Sequence, residues 1–169
     1  ERRDIITERL KLDEQKLNNL PFGGLFYISH IDNVESILKY GILSHNLAHS
    51  KELVKVDISH QEVNPRRNRF ENSLGGNIHD FAPLYFNQKN PMLYKLCKTM
   101  ERSNLVLFRI NPHILLANEV SFSDGNAASH STSYYNNIDD FNKLKPHFGI
   151  PHWSGNYNDG PAYNPDEPL

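Results

Sequence analysis

Cysteine is almost absent from this chain: Cys97 stands alone among 169 residues. One thiol cannot close an internal disulfide or supply a cysteine-based zinc site, so a disulfide scaffold and a zinc finger are both excluded. Long apolar runs are missing too. Hydrophobic residues make up 38%, and no run approaches the roughly 18 residues that mark a membrane-spanning helix, so no membrane partner is expected. The first residues are charged and lack an apolar h-region, which speaks against a secretion signal and, with a single thiol, for a cytoplasmic location. Charge of one sign is also not in excess, since 18 Lys and Arg face 20 Asp and Glu. Internal repeats and heptads are absent, and the length suits a single domain over 1–169.

The even balance hides an asymmetry. Residues 61–110 hold eight basic side chains against four acids, whereas 121–169 hold Lys143 and Lys145 against six acids. A local basic face is therefore available without a basic protein, which alone is weak support for a polyanion partner.

Residues 1–21 read as an N-terminal helical extension, with Ile5, Ile6, Leu10, Leu12 and Leu17 at roughly helical spacing before Pro21. LFYISH at 25–30 reads as a buried strand, followed by a helix that Asp32 is placed to cap and Gly41 to end. The polar stretch 44–76 reads as a long functional loop. Leu84-Tyr85-Phe86 suggests a short strand, Pro91 starts a helix, and LVLFRI at 105–110 is the clearest strand. Residues 138–144 read as a further helix, and 146–169 as an irregular loop.

Nine histidines raise the question of a metal. His45 and His49 are four apart, but the segment from Gly41 to Ser50 lacks a strong helical pattern and carries no acid beside them, so no metal is expected. Cys97 reads as a packed small residue. Arg66, Arg67 and Arg69 in PRRNR form a dense cationic cluster. Guanidinium forks suit phosphates, so a phosphate-rich ligand and a loop of solvated arginines both remain open. Gly75-Gly76 permits close approach of backbone to a ligand, and Tyr85 and Tyr94 could stack on a base or on nicotinamide; Phe81 and Phe86 fit core packing better.

Four blocks occur in one order: YISHIDNVESILKYGILSHN, PRRNR, GGNIHDFAPLYFNQKNPMLY, and FSDGNAAS with the pair Tyr134-Tyr135. Together they resemble the DarT family of DNA ADP-ribosyltransferase toxins over about residues 25–153. The resemblance implies an α+β ADP-ribosyltransferase fold, a split mixed β-sandwich with surrounding helices. It implies NAD as donor of ADP-ribose, a base in single-stranded DNA as acceptor, and a macrodomain antitoxin that removes the modification. By position it places Tyr27, Ile28, Ser29, Ser36, Ser44, Arg67 and Tyr85 at the NAD site, with 44–76 as the NAD-binding loop and Arg67 as the catalytic arginine. It places Lys89, Asn90, Pro91, Met92, Leu93 and Tyr94 at the DNA.

The family's catalytic glutamate lies in a Gln-Ala-Glu block on a strand after a Pro- and Asp-rich loop. Residues 146–169 resemble that loop and end at Asp166-Glu167-Pro168-Leu169 without the block. The role is therefore not carried over to Glu167, and three readings stay open: the sequence is a fragment, another chain supplies the remainder, or this is a relative that only binds. A nucleic-acid-binding relative without catalysis, or a transferase acting on RNA or protein, are the alternative readings.

Overall fold

The computed structural model describes residues 14, 15, 17, 24–59, 63–117, 119–136 and 138–140. Most of the expected N-terminal helix, the distal part of the helix expected at 138–144, and the loop 146–169 lie outside them; residues 14, 15 and 17 are helical.

Strand β1, Leu25–His30, pairs antiparallel with β4, Leu105–Ile110, in a register that sets Tyr27 opposite Phe108 and Ser29 opposite Val106. Both segments combine β-branched, aromatic and leucine side chains, which suit a pleated, half-buried surface. On the other edge of β1, Phe26 and Tyr85 exchange both backbone hydrogen bonds at 2.8 Å, so the short strand expected at Leu84–Phe86 is reduced to one bridging residue. Two apolar clusters flank this ladder. Leu25, Leu115 and Phe122 form one, with Leu17, Phe86 and Tyr135 against it. Ile28, Leu93 and Leu96 form the other, with Tyr85, Met92 and Cys97 against it.

Helix α1, Val34–Tyr40, follows β1 through a 3-10 turn, Ile31–Asn33. Asp32 does not cap α1 as its position suggests. It sits inside the turn, and His30 Nδ1 accepts its amide at 3.2 Å. Gly41, at φ 83, closes α1 by donating its amide to Ile37 at 2.8 Å, a left-handed geometry that favours glycine.

The stretch 44–76 is not the continuous loop that its polarity suggests. It contains helix α2, His45–Ser50, helix α3, Asn64–Arg67, and strand β2, Phe70–Glu71, which pairs antiparallel with β3, Gly76–Asn77. Apolar periodicity cannot report such elements, because side-chain-to-backbone bonds hold them. Ser44 caps α2 by accepting the Leu47 amide at 3.3 Å. At its other end Glu52 adopts φ 55, its amide bonds the His49 carbonyl and that of Leu53 the Ala48 carbonyl, a Schellman turn with glutamate in the usual glycine position. Gly75, at φ 67, turns the β2–β3 hairpin and donates to the Glu71 carbonyl at 3.0 Å, so the glycine pair is used by the turn.

Helix α4, Pro91–Thr99, begins where Asn90 Oδ1 accepts the Leu93 amide at 3.0 Å, with Pro91 in the first turn, where no donor is lost. The two-residue strands β5, Phe122–Ser123, and β6, Tyr134–Tyr135, pair antiparallel. The described residues are thus α+β, with three antiparallel two-stranded pairings. No helix among them is long and apolar enough to cross a membrane.

Candidate active site

Four segments converge beside β1. Strand β1 contributes Tyr27, the bridging residue contributes Tyr85, α3 contributes Arg67, α2 contributes His45 and His49, and the 3-10 turn Ile78–Asp80 contributes His79. Arg67 is close enough to His45, His79, Tyr85 and Tyr134 for its charge to bear on all four. Its Nε is buried and has no hydrogen-bond partner among the described residues. A buried guanidinium nitrogen left unpaired costs free energy, which an anionic or carbonyl ligand would recover.

The neighbouring arginine is engaged differently. Arg69 donates to the carbonyls of Arg66 at 2.6 Å, Ser129 at 2.9 Å, and Ala127 and Ala128 at 3.3 Å, and stands 3.9 Å from Glu71. It ties the 127–129 loop to the end of α3, and Tyr134 donates its hydroxyl to the Ala127 carbonyl of the same loop at 3.2 Å. PRRNR is therefore not a uniform anion trap: one arginine staples backbone and another keeps a buried nitrogen without a partner among the described residues.

The electrostatics follow from burial. Burial pushes the Tyr27 phenol up, helped by Tyr85 and Asp57, and pushes Tyr85 up despite Arg67. Both phenols stay neutral donors near pH 7. Burial also lowers His45 and His79; His49 and Arg67 add to the effect on the former, and His45 and Arg67 on the latter. The His45 ring lies 4.2 Å from that of His49 and 4.4 Å from that of His79. Asp57 is pushed up by burial but ends below its ordinary value, because the Ser59 hydroxyl and amide and the two histidines favour the carboxylate. Its Oδ2 is 3.5 Å from His49 Nε2. One ligand-capable atom each from His45, His49 and Asp57 lies within 4.8 Å of the others, so these three could hold a metal ion.

The remaining expected residues are placed as follows. Ile28 lies in the core cluster beneath the strand. Ser29 is buried and accepts from Asn33 Nδ2 at 3.4 Å. Ser36 donates to the carbonyls of Asn33 and Leu53, tying α1 to the returning chain, and Ser44 caps α2. Of the six residues expected at DNA, Leu93 is buried in the core and Asn90 is a buried cap, whereas Lys89, Pro91, Met92 and Tyr94 remain at least partly accessible. Lys98 Nζ sits 4.4 Å from the centre of the Tyr94 ring. A separate open groove of about 520 Å³ is lined by Asp80, Phe81, Glu119 and Asn136 among others, and its two acids disfavour a phosphate backbone.

Sequence reasoning missed the histidine group, Asp57, and the tie made by Asn33. Asn33 accepts the amides of Lys55 at 2.8 Å and Val56 at 3.1 Å and donates to the Val56 carbonyl at 2.7 Å. The spacing of His45 and His49 was the one available signal, and it becomes meaningful only with a helix beneath it.

Comparison with known proteins places the chain in a family. A family model described as the ssDNA thymidine ADP-ribosyltransferase DarT matches residues 26–147. A DNA ADP-ribosyl transferase–DNA ADP-ribosyl glycohydrolase fusion protein of Thermosipho africanus is 34% identical over 126 residues, 68% of this chain and 30% of that protein. A DNA ADP-ribosyl transferase of Thermus sp. is 37% identical over 75 residues, 43% of this chain and 34% of that one. The chain thus spans about a third of the length of these curated relatives. Among solved structures, Thermosipho africanus DarTG in complex with ADP-ribose superposes with a TM-score of 0.63 at 34% identity, covering 68% of this chain and 31% of that one. Thermus sp. DarT in complex with ADP-ribosylated ssDNA gives 0.61 at 24% identity, covering 71% and 61%, and shares the fold. With more than half of its length matched by the family model and its architecture shared with solved members, the chain belongs to the DarT family and has its ADP-ribosyltransferase fold.

Proposed function

We propose that this chain carries the donor site of an enzyme that transfers ADP-ribose from NAD to a thymidine base in single-stranded DNA. The observation that carries the reading is the Nε of Arg67, buried and without a partner among the described residues, set among Tyr85, His45, His79 and Tyr134. Arg67 would hold the donor's phosphate or assist proton removal from the base. Tyr27 and Tyr85, neutral and largely apolar, would shield the nicotinamide side, with Ile28, Ser29, Ser36 and Ser44 shaping or supporting that wall and 44–76 covering NAD.

In the reaction the C–N glycosidic bond breaks, its electron pair leaves with nicotinamide, and the ribose develops oxocarbenium character. A base nitrogen then attacks the anomeric carbon and loses its proton. A glutamate not found within residues 1–169 would stabilise the developing cation, as the family resemblance implies. Single-stranded DNA spares the few kcal/mol needed to unstack a base from duplex. Its backbone would pass the start of α4, with Lys89, Asn90, Pro91, Met92, Leu93 and Tyr94 forming or supporting the contact. The Thermosipho relative's fusion to a DNA ADP-ribosyl glycohydrolase supports a toxin–antitoxin pairing with a macrodomain that removes the product, and a cytoplasmic setting suits that target.

The test is incubation of the full-length protein with NAD and a thymidine-containing single-stranded oligonucleotide. A mass gain of one ADP-ribose on the DNA, lost in Arg67→Ala, supports the proposal. Modification of RNA or protein instead, or DNA binding without any mass gain, rejects it.

A further inference from the structure

We propose that His45, His49 and Asp57 form a binding site for a divalent ion of the zinc class, with a fourth position left for water or an anion. Two imidazoles and one carboxylate are a donor set that zinc accepts in tetrahedral geometry with one open position. His45 and His49 stand on successive turns of α2, where residues four apart share a face. Asp57 arrives from the chain that returns after the turn at Glu52.

The distances fit with little adjustment. Ligands about 2.0–2.1 Å from a tetrahedral zinc stand roughly 3.3 Å apart. His49 Nε2 and Asp57 Oδ2 are already 3.5 Å apart, and the ligand-capable atoms of all three residues fall within 4.8 Å. The side chains of His49 and Asp57 are 43% and 42% exposed, so small rotamer changes close the remaining gap without disturbing a core. An outer partner is also in place, because Asp57 Oδ1 accepts the Ser59 amide at 2.8 Å and leaves the other oxygen toward the histidine. Arg67 and the His79 ring face the same group, which favours an anionic fourth ligand over a neutral one. No step of the glycosidic chemistry proposed above is routed through the ion, and the binding test below does not depend on that reading.

Without a metal, the His49–Asp57 contact would be an ordinary exposed ion pair, and the experiment separates the two cases. Tag-free protein in chelator-treated buffer is titrated with Co²⁺, followed by its visible absorption, and with Zn²⁺, followed by calorimetry. The expected result is one ion per chain, an intense band of tetrahedral Co²⁺ that Zn²⁺ displaces, and affinity at least about tenfold weaker in His49→Ala and in Asp57→Asn. His113→Ala, which removes a ring bonded to Asn111 elsewhere on the surface, should leave binding unchanged. Both test side chains are exposed, and circular dichroism checks that the variants fold. Absence of a tetrahedral band, or equal affinity in His49→Ala, Asp57→Asn and wild type, overturns the proposal.

Discussion

Tyr27 and Arg67 reach the same cleft by different routes. Tyr27 is carried by β1, which is fixed on one edge by β4, on the other by Tyr85, and above and below by apolar clusters. Arg67 is carried by a four-residue helix with no buried residue of its own. What holds its surroundings is a set of polar ties, from Arg69 to the 127–129 carbonyls, from Asn77 to Asn68 and from Asn136 to Ser73. The first region is secured by area removed from water, the second by directional bonds to backbone. Damage to the first should therefore appear as lost global stability, and damage to the second as lost position of a few groups.

The strongest break in the apolar region is Leu25→Ala. Leu25 is 1% exposed at the centre of its cluster, and such truncations cost about 2–5 kcal/mol. Urea denaturation should show that loss, and a cost below about 1 kcal/mol would mean that the cluster collapses around the gap. Next comes Arg69→Ala, which strands the carbonyls of residues 127–129. Charged hydrogen bonds of this kind contribute about 1.5–3 kcal/mol, so a stability loss in that range is expected, together with weakened NAD binding as the neighbouring loop shifts. Wild-type stability in this variant would contradict the staple. Asn90→Ala removes the cap of α4 and should cost about 1 kcal/mol, with the helical circular dichroism signal reporting a frayed end.

A pH series sharpens the contrast, since the titrating groups lie on the polar side. His45 and His79 are held below 6.5, so the unfolded chain takes up protons first as the solution is acidified. Their contribution to stability is complete above 6.5 and declines as pH falls below it. Asp57, held below 3.8, contributes above that value and loses its contribution as pH falls through its folded value. Denaturation midpoints at about pH 7.5 and about pH 5.5 should differ in wild type and differ less in His79→Asn. Equal slopes in the two proteins would remove His79 from this account. The smallest effect on stability belongs to Arg67→Ala, expected within about 0.5 kcal/mol because the buried nitrogen of the lost group makes no bond among the described residues. Calorimetry should nonetheless find NAD binding abolished.

How much could be read from the sequence divides along the same line. β1, α1, α4 and β4 were legible, because burial leaves alternating or helical apolar patterns and because Gly41 and Pro91 punctuate them. The short elements between 44 and 76 were not, since a six-residue helix capped by Ser44 and a four-residue helix opened by Pro65 leave no periodicity to detect. The resemblance to DarT was legible from four ordered blocks and is matched by the family model. Within PRRNR, composition could not tell Arg69 from Arg67. Their difference depends on which carbonyls lie within reach, and those belong to residues almost sixty positions away.

The turn at Glu52 shows how a local choice of hand becomes a distance across the cleft. A left-handed conformation at a residue other than glycine costs about 1–2 kcal/mol, and it persists here because the reversed chain is received at once by Ser36 and Asn33. Reversal over α1, rather than attraction between the two side chains, is what sets His49 beside Asp57. A right-handed Glu52 would send the following residues away from α1, and the interval between these two groups would open without a change to either of them.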